Sequence, residues 1–285
     1  MMTIIVESGS AKADWIILHS NGEIEKVTTQ GINPSTQEIL MAIDGALRQS
    51  IAAAIEIYFY GAGVSNNLAK DRIHQWLQSM GAKGIINVQS DMMAACIACC
   101  NEKEGIVCIL GTGSNSCAFD GEKIIDNIPS LGYILSDEGS GSHIGKEILR
   151  SYFYRQMTED VKVNFEKHFH ISKDDVIQAI YKDQLGSKYI ASFASWLDKS
   201  NDQYQEKILF KVFNEFIEYR LLPLTRQFPN QAIHFVGSIA YHFQNHLVKS
   251  LNNYGLEASE ILQKPIEKLI DFHQKNSNFG SEDNN

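Results

Sequence analysis

The chain has 285 residues, of which 44% are apolar, and its formal net charge is −9. This length can bury a large core and exceeds the commonest size of one domain, so we expect two domains. The acidic balance, without a basic block, argues against binding to nucleic acid. We also expect no signal peptide and no membrane span, because a strand begins at once and no apolar segment is long enough. The five cysteines lie in apolar surroundings, which indicates reduced thiols and a cytoplasmic protein.

Strands and helices alternate in the first hundred residues. Short apolar runs predict strands at Thr3–Glu7, Ala13–His19, Glu23–Thr29, Glu56–Tyr60 and Gly84–Val88. Helices are predicted from Ser35 to about Ser50, before Gly81, and from Ser90 or Asp91 onward. Ser35 and Glu38 have the spacing of a capping box, which sets the start of the first of these helices.

The second half of the chain repeats this order. Strands are predicted at Ile106–Gly111, Asn115–Phe119, Glu122–Asp126 and Ala232–Val236. Helices are predicted at Gly139–Arg155, within 160–200, along Leu209–Leu221, at Ile239–Leu251, and after Pro265. The apolar stripe of Leu209–Leu221 indicates a core helix and not a cofactor site. Because no polar linker separates the two halves, we expect a tight hinge near Asn101–Gly105.

Two small polar turns follow apolar strands at equivalent places in the two halves. The first is Glu7-Ser8-Gly9-Ser10-Ala11-Lys12, and the second is Gly111-Thr112-Gly113-Ser114. A turn of this composition presents backbone N–H groups and hydroxyls on one side, which suits a phosphate. An ordinary β-turn explains the second turn equally well when it is taken alone, but two such turns could grip one polyphosphate.

An ordered set of short motifs runs through nearly the whole chain: ESGSAKADW, GINP, YGAG, SDMMAA, GTGSNS and GYILSDEGSG. In this order the set resembles the N-acetylglucosamine kinase branch of the BadF/BadG/BcrA/BcrD ATPase family, within the sugar kinase/Hsp70/actin superfamily. The resemblance implies an α/β fold of two ribonuclease-H-like domains with a nucleotide and sugar cleft between them. The domains would be 1–103, with the C-terminal helix 264–276 packed back on it, and 104–263, which carries the helical insertion.

The resemblance also implies an activity, namely phosphorylation of N-acetylglucosamine to its 6-phosphate by ATP with Mg²⁺. The partners would be an amino sugar and ATP, and the protein would be a homodimer. Asp91 would be the catalytic base; taken alone, an Asp at this helix start is better explained as an N-cap, and the resemblance reverses that preference. Glu7 would organise Mg²⁺, which needs only one or two carboxylates.

The remaining site residues rest on the same resemblance. The phosphate-binding set is Ser8, Gly9, Ser10, Ala11, Lys12, Gly111, Thr112 and Gly113. The adenosine-binding set is Gly237 and Ser238, and the sugar-binding set is Asn33, Ser114, Asn115, Gly132, Tyr133 and Asp137. Ala11 departs from the pattern, because similar proteins have a threonine whose hydroxyl would contact a phosphate. One lost neutral hydrogen bond costs only about 0.5–1.5 kcal/mol, so activity is still expected.

Three alternatives remain open. An N-acetylmuramic acid kinase would need a cationic pocket wall for the lactyl carboxylate of its sugar, and the sequence contains no obvious one. An iron–sulfur activator ATPase would need cysteines beside the glycine turns, and GTGSNS has none. A sugar-sensing protein with weak catalysis is favoured by Ala11 but disfavoured by Asp91.

Overall fold

The computed structural model describes residues 2–9, 12–34, 43–183 and 186–278. The chain divides into two compact units, one of Met1–Glu102 with Pro265–Asn285 and the other of Lys103–Lys264. Each unit contains one five-stranded mixed sheet. The predicted α/β class with two such sheets is confirmed. In the described residues, no helix has both the length and the apolar character needed to cross a membrane.

The first unit is built on the strands β1 (Met2–Ser8), β2 (Lys12–His19), β3 (Ile24–Gln30), β4 (Glu56–Gly61) and β5 (Ile85–Ser90). Their order in the sheet is β3-β2-β1-β4-β5. The β1–β2–β3 meander is antiparallel, whereas β4 and β5 run parallel to β1 and to each other. The helices between the strands are α1 (Gly45–Ala53), α2 (Asn67–Ser79) and α3 (Asp91–Cys100).

The second unit repeats this strand order with β6 (Glu104–Leu110), β7 (Ser114–Asp120), β8 (Ile124–Ile128), β9 (Ile233–Val236) and β10 (Glu260–Leu262). The order is β10-β9-β6-β7-β8, again an antiparallel meander followed by two parallel strands. The helices are α4 (Gly132–Leu135), α5 (Gly141–Phe153), α6 (Glu159–His168), α7 (Lys173–Ile177), α8 (Gly186–Ser192), α9 (Asp202–Phe216), α10 (Leu222–Gln227), α11 (Ser238–His242) and α12 (Gln244–Asn253). The last helix of the chain, α13 (Ile266–Asn278), belongs to the first unit.

Apolar side chains cover both faces of the first sheet. Ile4 and Val6 point to the core under α1 and α2, whereas Ile5 points to the opposite face. On that opposite face α13 packs through Ile266, Leu269 and Ile270. The hydroxyl of Tyr60 lies 3.0 Å from Nε2 of the buried His273 of α13, which adds a polar contact to the apolar one.

Four of the differences from the sequence expectation can be traced to a particular cause. The first helix begins at Gly45, because the Asp44 side chain accepts the Ala46 N–H; the capping box at Ser35 lies outside the described residues. Strand β8 begins two residues later than expected, since Asp120 Oδ1 accepts the N–H groups of Glu122 and Lys123 and so holds them in the turn.

The other two differences concern the end of the second unit. The predicted helix Ile239–Leu251 is two helices, which meet at the buried Phe243. The apolar spacing continues through this break because Ala240, Phe243 and Leu247 all face the same core. Strand β10 was not predicted, since three residues are too short to show an alternating pattern.

Helix α5 lies so close to α8 that Gly145 has no room for a side chain. A Cβ at position 145 would lie 1.9 Å from the carbonyl oxygen of Ile190. The backbone of α8 cannot yield as a side chain could, so any substitution must move one helix away from the other. Gly145 is therefore a packing requirement of the second unit.

We expect Gly145→Ala to lower the free energy of unfolding by about 1–3 kcal/mol, the usual cost of overpacking. Gly45→Ala is the matched control, since a Cβ there meets nothing within 4 Å and the residue is helical. Urea unfolding followed by circular dichroism measures both. Equal stability of Gly145→Ala and the parent protein would contradict the close approach of α5 and α8.

Candidate active site

The parallel strands of the first unit end in register. Ser8 pairs with Gly61, and Gly61 pairs with Ser90, so β1, β4 and β5 finish at one edge of the sheet. β1 and β5 are separated by β4 alone, which corresponds to about 10 Å between them. The structure thus brings Glu7 and the N-terminal turn to the same sheet edge as Asp91.

Asp91 is the first residue of α3, and hydrogen bonds at the start of the helix fix both its backbone and its side chain. Ser90 caps the helix, with its Oγ accepting the N–H of Met93 at 3.2 Å. The Oδ1 of Asp91 accepts the N–H of Met92 at 2.8 Å. Burial raises the pKa of Asp91 above its ordinary value, and the backbone hydrogen bonds oppose this only in part. A carboxylate with fixed direction and increased basicity is suited to accept a proton.

The N-terminal turn is closed by its own backbone, since the N–H of Gly9 donates to the carbonyl of Lys12 at 3.0 Å. The buried Ser8 hydroxyl donates to Ile32 O at 3.0 Å and accepts the Ile32 N–H at 2.8 Å. Through these two hydrogen bonds the Ser8 hydroxyl holds the Gly31–Pro34 segment in place. Phosphate contacts from Ser8, Gly9 and Lys12 stay predictions, and Ser10 and Ala11 lie outside the described residues.

A second carboxylate, that of Asp14, lies opposite Glu7 on the neighbouring strand. In the antiparallel register of β1 and β2 Glu7 pairs with Asp14, so both side chains point to one face. Asp14 Oδ1 also accepts the hydroxyl of Thr28 at 2.9 Å. The sequence interpretation missed Asp14, although counting back from the turn between the two strands would have placed it opposite Glu7.

The segment that carries Asn33 is anchored on both sides. Ile32 is fixed by Ser8, and the carbonyl of Pro34 accepts a hydrogen bond from Arg72 of α2. Asn33 lies between these two anchors. Arg72 was not predicted as a site residue, because nothing in its local sequence points to a partner 38 positions away.

In the second unit, the glycine turn between β6 and β7 rests on the start of α5. The N–H of Gly141 donates to Gly111 O at 2.8 Å, and the N–H of Ser142 donates to Thr112 O at 3.0 Å. The next N–H of the helix, that of His143, donates to the capping Ser140 Oγ at 3.2 Å. The first amides of α5 are thus consumed inside the protein and do not form an anion site themselves.

The same contacts determine which N–H groups of the turn are left over. The N–H of Gly111 donates to Gly113 O at 2.9 Å, and the N–H of Ser114 donates to Asp137 Oδ1 at 3.3 Å. Among the described residues, the N–H groups of Thr112 and Gly113 have no acceptor. These two are the groups that the turn can offer to a phosphate.

Asp137 lies against the glycine turn in a left-handed conformation, with φ of 68°. It is only 7% exposed, and its Oδ1 also accepts the hydroxyl of Ser130 at 3.1 Å. A Cβ at Gly113 would be 2.9 Å from Asp137 Oδ2, so a side chain there would displace this carboxylate. Ser114 is 5% exposed, and within the described part of the chain its hydroxyl has no partner. A buried hydroxyl beside a carboxylate suits the recognition of a polyol.

Three other predicted sugar residues lie near these two in the chain but differ in exposure. Asn115 is partly buried and uses its Oδ1 to accept the Ser116 N–H at 2.9 Å. Gly132 is exposed, and Tyr133 is half-buried with its carbonyl accepting Lys146 Nζ at 2.7 Å.

Gly237 lies directly beside the start of the glycine turn. It has φ of 124°, and a Cβ there would be 2.3 Å from Leu110 O. Its N–H donates to Leu262 O at 2.9 Å, which joins the ends of β9 and β10. The predicted adenosine turn of Gly237 and Ser238 is therefore next to the predicted phosphate turn, and only glycine fits at position 237.

A pocket of about 300 Å³ lies behind the loop that carries Asp137. It is lined by residues of α4 and the loop after it, of α5 and of α9, namely Ile134, Leu135, Ser136, Glu138, His143, Lys146, Glu147, Arg150, Lys211 and Glu215. Arg150 and Lys211 both pair with Glu147, at 3.1 Å and 2.6 Å. Lys146 has no ion pair within 4.0 Å among the described residues, and burial lowers its pKa.

His143 is neutral at pH 7, because burial lowers its pKa to about 4. Its Nδ1 accepts the Gly139 N–H at 3.3 Å, so its proton is on Nε2, which faces Glu215 Oε2 at 3.3 Å. Burial raises the pKa of Glu215. His143 thus supports the loop beside Asp137 as a structural residue.

Comparisons with known proteins show which proteins this chain is similar to. A protein from Clostridium acetobutylicum named N-acetylmuramic acid/N-acetylglucosamine kinase is 30% identical over 174 residues, which are 59% of this chain. That match spans only 57% of the relative's own length. A crystal structure described as a candidate N-acetylglucosamine kinase from Porphyromonas gingivalis is 32% identical, with a TM-score of 0.85 over 97% of this chain and 100% of its own.

A similarly described structure from Chromobacterium violaceum has a TM-score of 0.69 over 95% of this chain and 98% of its own, at 13% identity. At that identity the similarity shows the fold alone. The family profile of the BadF/BadG/BcrA/BcrD ATPases matches residues 6–270, which is nearly the whole chain. The chain belongs to the BadF/BadG/BcrA/BcrD ATPase family.

Proposed function

We propose that this protein phosphorylates an amino sugar with ATP, and that N-acetylglucosamine, converted to its 6-phosphate, is the preferred substrate. The observation that carries the proposal is the cluster in the second unit, where Thr112 and Gly113 offer N–H groups beside Ser114 and Asp137. The N-acetylglucosamine kinase names of two relatives, one of them similar over 97% of this chain, support the same substrate class.

In the proposed reaction Asp91 is the general base. It accepts the proton of the sugar's C6 hydroxyl while the hydroxyl oxygen forms a bond to the γ-phosphorus and the bond to the β-phosphate oxygen breaks, releasing ADP. The fixed direction of its carboxylate supports this role, since proton transfer requires a positioned acceptor. Burial moves the pKa of Asp91 upward, toward neutral pH, which makes its carboxylate a stronger base.

Glu7 and Asp14 are the residues that would hold Mg²⁺. Two carboxylates on one face of a sheet edge match the oxygen ligands that Mg²⁺ prefers, and the ion usually keeps several waters. When bound, Mg²⁺ neutralises phosphate charge. The carboxylate of Asp14 also accepts the hydroxyl of Thr28.

N-acetylmuramic acid is the second candidate substrate, because one relative carries its name and Lys146 lies beside the predicted sugar residue Tyr133. Lys146 supplies the cation that a lactyl carboxylate needs. However, Asp137, Glu138, Glu147 and Glu215 already act on it electrostatically. An added carboxylate would meet these negative groups, so the neutral sugar is favoured.

A homodimer and a cytoplasmic location belong to the same proposal. The homodimer rests on the family resemblance, and the location rests on the cysteines in apolar surroundings. A sugar-sensing role remains the competing hypothesis, since Ala11 stands where similar proteins have threonine. The retention of Glu7, Asp91 and Asp137 in one chain supports an active kinase. A coupled assay of ADP release across a panel of amino sugars tests the proposal directly.

We expect Asp91→Asn to lower kcat by about 10²–10⁴-fold while ATP still binds, because only the base is removed. In the parent enzyme kcat should fall as pH drops through a pKa above the usual 3.9 of Asp, since the base must be deprotonated. Asp71→Asn, an exposed change on α2, is the control. Near-normal turnover of Asp91→Asn would remove this residue from the mechanism.

We expect Lys146→Met to lower kcat/KM for N-acetylmuramic acid at least about tenfold more than for N-acetylglucosamine. The reason is that a hydrogen bond between two charged groups contributes about 1.5–3 kcal/mol, whereas the neutral sugar lacks that partner. Steady-state kinetics with both sugars gives the ratio. An unchanged ratio would show that Lys146 does not recognise the lactyl group.

We expect Ala11→Thr to tighten ATP binding or raise kcat by at most about tenfold, equivalent to ~1.4 kcal/mol, if a single phosphate hydrogen bond is restored. Titration calorimetry with the sugar accompanies the kinase assay on both proteins. If both proteins bind the sugar normally and neither turns over, the sugar-sensing hypothesis replaces the kinase.

A further inference from the structure

Arg220 lies in a π-helical segment, Ile217–Leu221, inserted between α9 and α10. A π turn adds one residue to the helix and so changes which side chains face inward, and such turns are frequent at functional sites. Glu218 and Tyr219 in the same segment are exposed, whereas Arg220 is only 2% exposed. The extra residue therefore delivers one guanidinium into the interior of the second unit.

Inside the unit, the guanidinium forms hydrogen bonds to the chain at the end of β8. Nη1 donates to Pro129 O at 2.9 Å, and Nη2 donates to Ile128 O at 3.0 Å. The carbonyl of Arg220 accepts the hydroxyl of Ser116 in β7 at 3.0 Å. Arg220 thus fixes two consecutive carbonyls at the point where the chain leaves the sheet.

The fixed segment leads directly to the predicted sugar residue. Ser130 follows Pro129, and its hydroxyl donates to Asp137 Oδ1 at 3.1 Å. The same Oδ1 accepts the N–H of Ser114 at 3.3 Å. A chain of contacts therefore runs from Arg220 through residues 128–130 to the carboxylate of Asp137 and to Ser114.

Arg220 also interacts electrostatically with Asp137 and with the neighbouring Glu138. Burial lowers the pKa of Arg220, while the carboxylates of Glu138 and Asp137 oppose that change. No carboxylate lies within 4.0 Å of the guanidinium in the described residues, and both Arg220 Nε and Glu138 Oε2 are buried without a hydrogen-bond partner there. A buried cation is expensive when it is not directly paired. Stability alone therefore does not explain why arginine is found at this position.

We propose that Arg220 is a positioning residue for amino-sugar binding, which holds Asp137 through the carbonyls of Ile128 and Pro129 and the hydroxyl of Ser130. This inference rests on the proposed function, because Asp137 is the residue that would accept the sugar hydroxyls. Lysine cannot replace arginine here, since an ammonium is a point charge and cannot span two carbonyls as the planar guanidinium does.

The test uses Arg220→Lys, which keeps the charge, with Arg226→Lys in α10 as the matched exposed control. We expect Arg220→Lys to raise the KM and the Kd for N-acetylglucosamine about tenfold, with kcat and the KM for ATP within about twofold of the parent enzyme. Hydrogen exchange should become faster in peptides covering 126–139 and nowhere else. Parallel loss of kcat and thermal stability, with an unchanged Kd for the sugar, would overturn the proposal.

Ser130→Ala keeps the test decisive if Arg220→Lys does not fold, since Ser130 is exposed and its loss removes only the link to Asp137. It should also weaken sugar binding, and in the double variant the two fold-changes should not multiply, because both act on one contact chain. A parent-like Kd for Ser130→Ala would overturn the proposal. If the parent protein binds no amino sugar at all, both the proposed function and the role of Arg220 in sugar binding are overturned. Faster hydrogen exchange at 126–139 in Arg220→Lys would in that case show only that Arg220 stabilises this segment.

Discussion

The candidate site of the second unit depends on the contact between the glycine turn and the first amides of α5. The N–H groups of Gly141 and Ser142 would otherwise be unsatisfied at a helix start, and the carbonyls of Gly111 and Thr112 satisfy them. This contact turns the carbonyls of the turn inward and leaves the N–H groups of Thr112 and Gly113 for a ligand. The absence of side chains at Gly113 and Gly237 lets Asp137 and the end of β9 approach the turn.

The two units share a strand order but fix their polar turns by different means. In the first unit a buried serine hydroxyl, that of Ser8, ties the turn to the backbone of Ile32. In the second unit the first backbone amides of α5 hold the glycine turn in place, so the hydroxyl of Ser114 is not needed to support the turn. Among the described residues the Ser114 hydroxyl is therefore without a partner, whereas the Ser8 hydroxyl is fully engaged with Ile32.

The two units also differ in the charged groups near their polar turns. The first unit places Glu7, Asp14 and Asp91 along one sheet, where a metal ion and a base are proposed. In the second unit the carboxylates of Asp137 and Glu138 are balanced by Lys146 and Arg220, both of which are at least half-buried. His143 adds no charge at neutral pH, because burial favours its uncharged form.

Much of the fold follows from local sequence. Short apolar runs gave the strands of both meanders, since such a run is a property of neighbouring residues. The glycine turn and the start of α3 could also be predicted, because each lies in a short motif. The repeated order of strands and helices predicted the relation of the two halves. The boundaries at Gly45, Ile124 and Phe243 required knowledge of which side chain caps a turn or faces a core, as did the existence of β10.

The tertiary structure alone decided how the site residues are supported. Ser8 with Ile32, Arg72 with Pro34, and Arg220 with Ile128 are separated by 24, 38 and 92 positions, and no local pattern links such pairs. The register of β1 against β2 revealed Asp14, and the π turn before α10 turned Arg220 inward. The sequence by itself determined which chemical groups are present and which turns hold them, because these depend on short segments. The partners of those groups were decided only by folding, since hydrogen bonds between distant segments form when the sheet brings them together.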